Sequence, residues 1–168
     1  KGVEDANAIQ IGESQKLNVP DQEYIIKLAL PSNLDTTGGK LSIKHTKENG
    51  SIEYYTGIVS TEGEAPNTKT YVTFTTNGFS PFVISAPVAS IGDDVYPSLQ
   101  AAIDAVQDGQ TIKLTKACAE NVTVSRAVKF TLNKDGKGFT GSIAAGSRYS
   151  MTTSKTTSGN TEYTFTYV

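Results

Sequence analysis

The segment VYPSLQAAIDAVQDGQTIKL spans residues 95–114 and contains the one convincing helical pattern of the sequence. Its apolar residues recur at the i, i+3, i+4 and i+7 spacing of one helix face, and they are Leu99, Ala102, Ile103 and Val106. Ser98 can accept hydrogen bonds from the first-turn N–H groups, and Gly109 stands where a left-handed residue commonly ends a helix. The segment therefore predicts one amphipathic helix that leads into a strand with alternating Ile112 and Leu114.

The residues before this helix alternate between apolar and polar in short runs, which is the pattern of half-buried strands. These runs are separated by turn residues and lie at 23–30, 41–45, 52–55, 70–76 and 80–85. Asn49-Gly50 predicts a tight type I′ hairpin, because both central positions of that turn need a positive φ. Short strands joined by such turns predict a small antiparallel β-sandwich.

Further strands, rich in β-branched residues, follow the helix at 111–114, 121–124, 128–132, 142–144 and 161–168. Pro87 interrupts strand pairing at the point where the pattern changes, which predicts two modules, 1–87 and 88–168. The predicted fold class is mainly β. A small antiparallel β-sandwich precedes a β-rich module with one amphipathic helix, and that module is either short and solenoid-like or a compact β domain.

The composition excludes several classes of protein. The chain has 168 residues, of which 37% are hydrophobic and 19% charged, and its net charge of −2 argues against a nucleic-acid partner. No run approaches the roughly 18 apolar residues that a membrane-spanning helix needs. One Cys and one His exclude a disulfide framework and a multi-ligand zinc site. Lys1, with no charged-then-apolar leader after it, predicts a processed or excised piece of a longer protein.

Three segments carry a family resemblance. Residues 95–114 resemble a segment of large surface proteins of Gram-positive bacteria, in which a short helix caps a β-solenoid of the pectin-lyase-like type. Residues 130–141 are similar to the following coil, and residues 71–83 resemble the closing strands of small β domains in the same modular proteins. The resemblance implies a secreted or cell-surface location. Residues 88–168 hold about three coils at most, and the acidic clusters that such lyases use are missing.

Candidate catalytic and metal-binding groups are few. His45 has no Ser or Cys in a nucleophile motif beside it, so a structural histidine is favoured, and Cys118 is expected to be a small buried residue. Asp104 and Asp108, four residues apart, are expected to form a solvated helix edge. The loop 133–136 lacks the acidic positions of a calcium loop and predicts a glycine turn. No catalytic, cofactor-binding or metal-binding residue is therefore predicted, and no cofactor is expected.

The aromatic residues are the candidate ligand contacts. Tyr163, Phe165 and Tyr167 alternate along the last strand and share one face, where they could stack on sugar rings or close the core of the second module. Tyr54 and Tyr55 are neighbours on one strand and must lie on its opposite faces, so one of them is expected to be exposed. The candidate contacts are Tyr163, Tyr167 and Tyr55. For the aromatic residues of the last strand, closure of the core is the favoured role.

These observations predict a non-catalytic module of a secreted or cell-surface protein, with a role in adhesion, ligand display or spacing. The alternative is a carbohydrate-binding or accessory fragment of a polysaccharide-degrading enzyme. The expected partner is a glycan or another surface protein, with no nucleic acid and no membrane span in this chain.

Overall fold

The computed structural model describes residues 9–11 and 22–168, and in this part of the chain it shows a mainly β fold with one helix, as predicted. The chain divides into two compact units, Lys1–Ala86 and Pro87–Val168, and each has its own hydrophobic core. Among the described residues, the strands of the two units belong to separate sheets.

The first unit is built on one six-stranded antiparallel sheet. Its strands are β1 (Ile9–Ile11), β2 (Tyr24–Ala29), β3 (Lys40–Thr46), β4 (Ile52–Glu62), β5 (Lys69–Thr76) and β6 (Phe82–Ser85). Their order across the sheet is β1-β6-β3-β4-β5-β2. The long strand β4 pairs with β3 along its first part and with β5 along its last part. The strands expected in a sandwich therefore form one continuous sheet, because β4 joins its two halves.

The hairpin between β3 and β4 differs from the predicted type I′ turn. Gly50 has a φ of 80°, and its N–H donates to the Lys47 carbonyl at 2.9 Å. Asn49 is not in the left-handed region, so the connection is a five-residue loop, 47–51, rather than a two-residue turn. This longer loop sets the register in which His45 lies opposite Glu53.

One face of this sheet carries the core of the first unit. Its buried residues are Leu34, Leu41, Ile43, Val72, Phe74, Phe82 and Ile84. Gly57 in β4 is required here, because a Cβ at that position would lie 2.4 Å from the Cγ2 atom of Val72. The glycine lets side chains from β3 and β5 meet over β4.

The second unit contains eight strands and the helix among its described residues. They are β7 (Ala89–Ile91), β8 (Asp94–Tyr96), α1 (Leu99–Ala105), β9 (Thr111–Leu114), β10 (Asn121–Val124), β11 (Val128–Asn133), β12 (Ser142–Ala145), β13 (Tyr149–Lys155) and β14 (Thr161–Tyr167). One sheet has the order β13-β14-β11-β9-β7-β8, and a smaller one pairs β10 with β12.

Two turns of chain stack in parallel within this compact β unit. β9 pairs in parallel with β11 and β10 with β12, so that Thr111 lies opposite Thr131 and Asn121 opposite Ser142, about 20 residues further along the chain. Gly141 permits the close stacking, since a Cβ there would lie 1.8 Å from the Glu120 carbonyl oxygen. The antiparallel strand β14 then covers the outer edge of β11.

The helix α1 confirms the predicted apolar stripe, because Leu99, Ala102, Ile103 and Val106 are all buried. Ser98 caps its first turn and accepts from the Ala101 N–H at 3.0 Å. The predicted C-terminus is wrong. The helix ends at Ala105, and Gly109 belongs to the next turn, in which the Gln110 N–H donates to the Gln107 carbonyl.

Candidate functional site

Tyr163, a predicted ligand contact, is part of the core of the second unit. It is half-buried, and its ring stacks on Phe130 with 5.5 Å between ring centroids. Burial raises the pKa of its hydroxyl. Phe165, two residues further on, is only 1% exposed. Phe165 is therefore a core residue, and Tyr163 packs against the same core while part of its side chain stays exposed.

Tyr167, on the same face of the same strand, is 64% exposed. Its ring meets Tyr149 edge-on, with 5.6 Å between centroids and an interplanar angle of 80°. The two residues are direct cross-strand partners at the end of the β13–β14 hairpin. We call Tyr149 and Tyr167 the tyrosine pair. Tyr149 was missed because β13 was not predicted; the turn 156–160 around Gly159 was the signal that could have placed it opposite β14.

Tyr55, the third predicted contact, is half-buried and packs against the core of the first unit. The pairing of β3 with β4 places Glu53 opposite His45 and Tyr55 opposite Ile43 on the same face of the sheet. The loop between β5 and β6 brings Ser80 to the other side of the His45 ring. We call Ser80, His45, Tyr55 and Glu53 the polar relay.

The hydrogen bonds of the polar relay have a defined direction. Tyr55 has one hydroxyl proton, and the Glu53 carboxylate at 2.6 Å is its nearest acceptor, ahead of the Asn77 side-chain oxygen at 3.3 Å. The Tyr55 oxygen therefore accepts from His45 Nδ1–H at 3.1 Å. Because a neutral imidazole carries one ring proton, His45 Nε2 is left as an acceptor, and it faces Ser80 Oγ at 2.5 Å.

The ionisation of each group fits this arrangement. Burial lowers the pKa of His45, which is 1% exposed, and this outweighs the opposing effect of Glu53. Hydrogen bonds from Lys47 and Tyr55 lower the pKa of Glu53 and keep it ionised. Burial and the bond to Glu53 raise the pKa of Tyr55 to about 12, so its hydroxyl stays protonated. The neutral histidine is thus held in the tautomer that can accept the serine proton.

The loop that carries Ser80 is fixed at several points. Thr76 Oγ1 donates to the Gly78 carbonyl at 3.1 Å and accepts from the Gly78 N–H at 3.3 Å. Gly78 lies against the His45 ring, where a Cβ would be 3.4 Å from Cε1. Phe82, the first residue of β6 after this loop, stacks on the His45 ring with 4.7 Å between the ring centroids. Ser80, expected within a strand, lies in the loop before β6 and is partly exposed.

Two other polar features have structural roles. Asp104 accepts from the Gln100 side chain at 2.9 Å, and Asp108 accepts from the Lys129 N–H at 2.8 Å. The predicted helix edge shared by the two carboxylates is wrong, because α1 ends before Asp108.

Cys118 is buried as predicted, and burial raises the pKa of its thiol. Among the described residues, no three His, Cys, Asp or Glu side chains are grouped so that they could hold a metal ion.

No family model, curated protein or solved structure matches the chain. In the part of the chain that the structure describes, no helix has the length and apolar character needed to cross a membrane, and α1 has seven residues.

Proposed function

We propose that the chain is a non-catalytic module of a secreted or cell-surface protein, and that it displays the tyrosine pair for contact with a glycan. The observation that carries this proposal is the exposure of Tyr167, at 64%, beside a second tyrosine ring. Of the three predicted contacts, Tyr163 and Tyr55 pack against the cores of their units. The contact surface is therefore assigned to Tyr167 together with Tyr149.

Sugar rings present apolar C–H faces, and a planar side chain covers such a face with little loss of rotamer entropy. The edge-on arrangement of the tyrosine pair offers one ring face and, nearly perpendicular to it, a second. Tyrosine hydroxyls can also bond to sugar hydroxyls. Ser150 and Thr166 occupy the next positions of the two strands, so their hydrogen-bonded side chains lie on the opposite face of the sheet and are not part of this surface. The surface thus combines aromatic contact with the two tyrosine hydroxyls.

The location outside the cytoplasm is supported by composition and by the resemblance to modular surface proteins. Charged residues make up 19% of the chain, and uncharged Thr, Ser and Asn supply much of the polar surface. Each unit has a core of its own, which suits a segment of a modular chain.

A glycan array with the full chain tests this proposal, using Tyr149→Ala, Tyr167→Ala and the double variant. We expect the wild type to bind at least one glycan class and each variant to lose most of that signal while keeping its circular dichroism spectrum. Tyr71→Ala, in the first unit, is the matched control and is expected to bind as the wild type does. Glycan binding that survives the double variant, or binding of a surface protein alone, would contradict the assignment. Hydrolysis of a bound polysaccharide would contradict the non-catalytic role.

A further inference from the structure

The geometry points to Ser80 as an activated nucleophile that accepts one acyl group from an activated ester. This goes beyond glycan display and concerns the other unit of the chain. Ser80 Oγ lies 2.5 Å from His45 Nε2, and the second ring nitrogen of His45 is held by Tyr55, which bonds to Glu53. A nucleophile, a base and a group that orients the base are therefore present in hydrogen-bonded order.

The arrangement has the features that activate a serine. Glu53 is ionised and accepts the Tyr55 proton, so Tyr55 can only accept from His45 and fixes its Nδ1–H tautomer. Nε2 then carries the lone pair, and it points at the serine hydroxyl. Phe82 stacks on the imidazole and limits rotation of the ring.

The step is a simple acyl transfer. The Ser80 hydroxyl gives its proton to His45 Nε2 while Oγ forms a bond to the carbonyl carbon of the ester. The bond from that carbon to the leaving oxygen breaks, and the departing oxygen takes the proton from His45 Nε2; a phenol released in this way ionises in solvent according to its own acidity. The products are an ester at Ser80 and a free alcohol or phenol.

The ester is expected to persist, so that each molecule reacts once. Removal of the acyl group would need a water molecule at His45 Nε2. The His45 side chain is 1% exposed, with Phe82 stacked on the ring and Gly78 against its edge. Stoichiometric acylation of this kind agrees with a module that has no turnover of its own.

p-Nitrophenyl acetate is the probe. We expect the 168-residue chain to release one equivalent of p-nitrophenolate in a burst, with the acetyl group mapped to Ser80 by peptide mass spectrometry. Ser80→Ala should lose the burst, and His45→Gln should slow it by about 100-fold, the lower range for removal of a general base. Ser60→Ala, an exposed serine of β4, is the matched control and should react as the wild type does.

The pH dependence of the burst rate distinguishes a polar relay that activates Ser80 from one that only stabilises the fold. Among the described residues, the charged groups that face His45 are Glu53, from β4, and Lys47, next to the end of β3; Tyr55 is neutral, and the segment 77–85 contains no titratable side chain. The burst rate should fall at low pH as His45 takes up a proton. Tyr55→Phe removes the acceptor of Nδ1–H and should slow the burst and alter this profile.

Three results would overturn the assignment. They are acetylation spread over other serines and lysines with none at Ser80, a burst that His45→Gln leaves unchanged, and a wild-type rate that stays constant between pH 8 and pH 4. If His45→Gln does not fold by circular dichroism, the wild-type profile and the Ser80→Ala comparison decide the question.

Discussion

Tyr163→Ala and Tyr167→Ala form a matched comparison on one strand face, and their effects on stability should differ sharply. Both residues belong to β14, four positions apart, and both side chains point to the same side of the sheet. Tyr163 stacks on Phe130, which is 1% exposed, whereas Tyr167 is 64% exposed and meets Tyr149 in a T-shaped contact.

The expected magnitudes follow from burial. Truncation of a fully buried aromatic residue costs about 3–5 kcal/mol. Because Tyr163 is half-buried, we expect its truncation to lower the free energy of unfolding of the second unit by about 2–3 kcal/mol. Tyr167→Ala should stay within about 0.5 kcal/mol, as exposed substitutions usually do. The difference of about 2 kcal/mol corresponds to roughly a 30-fold difference in the unfolding equilibrium constant.

The assay is urea unfolding of the full chain, followed by hydrogen exchange of peptides from 87–168, so that the second unit is observed by itself. Phe165→Leu, within the same strand, provides a positive control for loss of core packing. An equal loss of unfolding free energy in the two tyrosine variants would refute the assignment of Tyr163 to the core and of Tyr167 to the surface. A larger loss for Tyr167→Ala than for Tyr163→Ala would show that the two assignments should be exchanged.

Three other outcomes are expected. The stability of the first unit should fall as the pH drops below 6.5, because burial lowers the pKa of folded His45 and the unfolded chain then binds the proton more readily; the urea midpoint at pH 7 and pH 5 checks this. Gly141→Ala should destabilise the second unit by several kcal/mol, on the order of a core truncation, since its Cβ would overlap the Glu120 carbonyl. Gly138→Ala, whose Cβ would meet its nearest atom at 4.0 Å, is the control and should stay within about 1 kcal/mol in the same melting experiment. Glu120→Ala should cost about 1–2 kcal/mol in thermal melting, because the first N–H groups of α1 lose their carboxylate acceptor, and Glu120→Gln should cost less.

Local patterns predicted what depends on nearest neighbours in the sequence. The helical spacing of Leu99 to Val106 and the Ser98 cap gave the one helix correctly at its start, and strand alternation placed most strands. The end of the helix was missed because its last carbonyls have a distant partner: Arg126 donates to the carbonyls of Ile103 and Val106, which lie 23 and 20 residues before it. Glu120 was missed for the same reason, since its bonds to the first turn join residues about 20 apart.

The polar relay could not be derived from the sequence because it depends on register and on loop conformation. His45 and Ser80 are 35 residues apart, and Ser80 was expected in a strand. The loop 47–51 after β3 sets Glu53 opposite His45, whereas a two-residue turn at Asn49-Gly50 would have shifted the pairing by one residue. Alternation did place His45 on the core face, but not the serine beside it.

The burial of the polar relay is itself an argument about its role. A phenylalanine at position 45 could stack on Phe82 and would need no hydrogen bonds, whereas the buried imidazole requires partners for both ring nitrogens. Networks of this kind contribute little net stability beyond what a well-packed apolar group supplies. A single acceptor would satisfy His45 Nδ1–H. The fold nevertheless provides a chain of bonded groups, in which Nδ1 bonds to Tyr55, Tyr55 to Glu53, and Glu53 to Lys47. The additional groups fix the direction of every proton up to Ser80 Oγ, and directionality is what a nucleophile needs and packing does not.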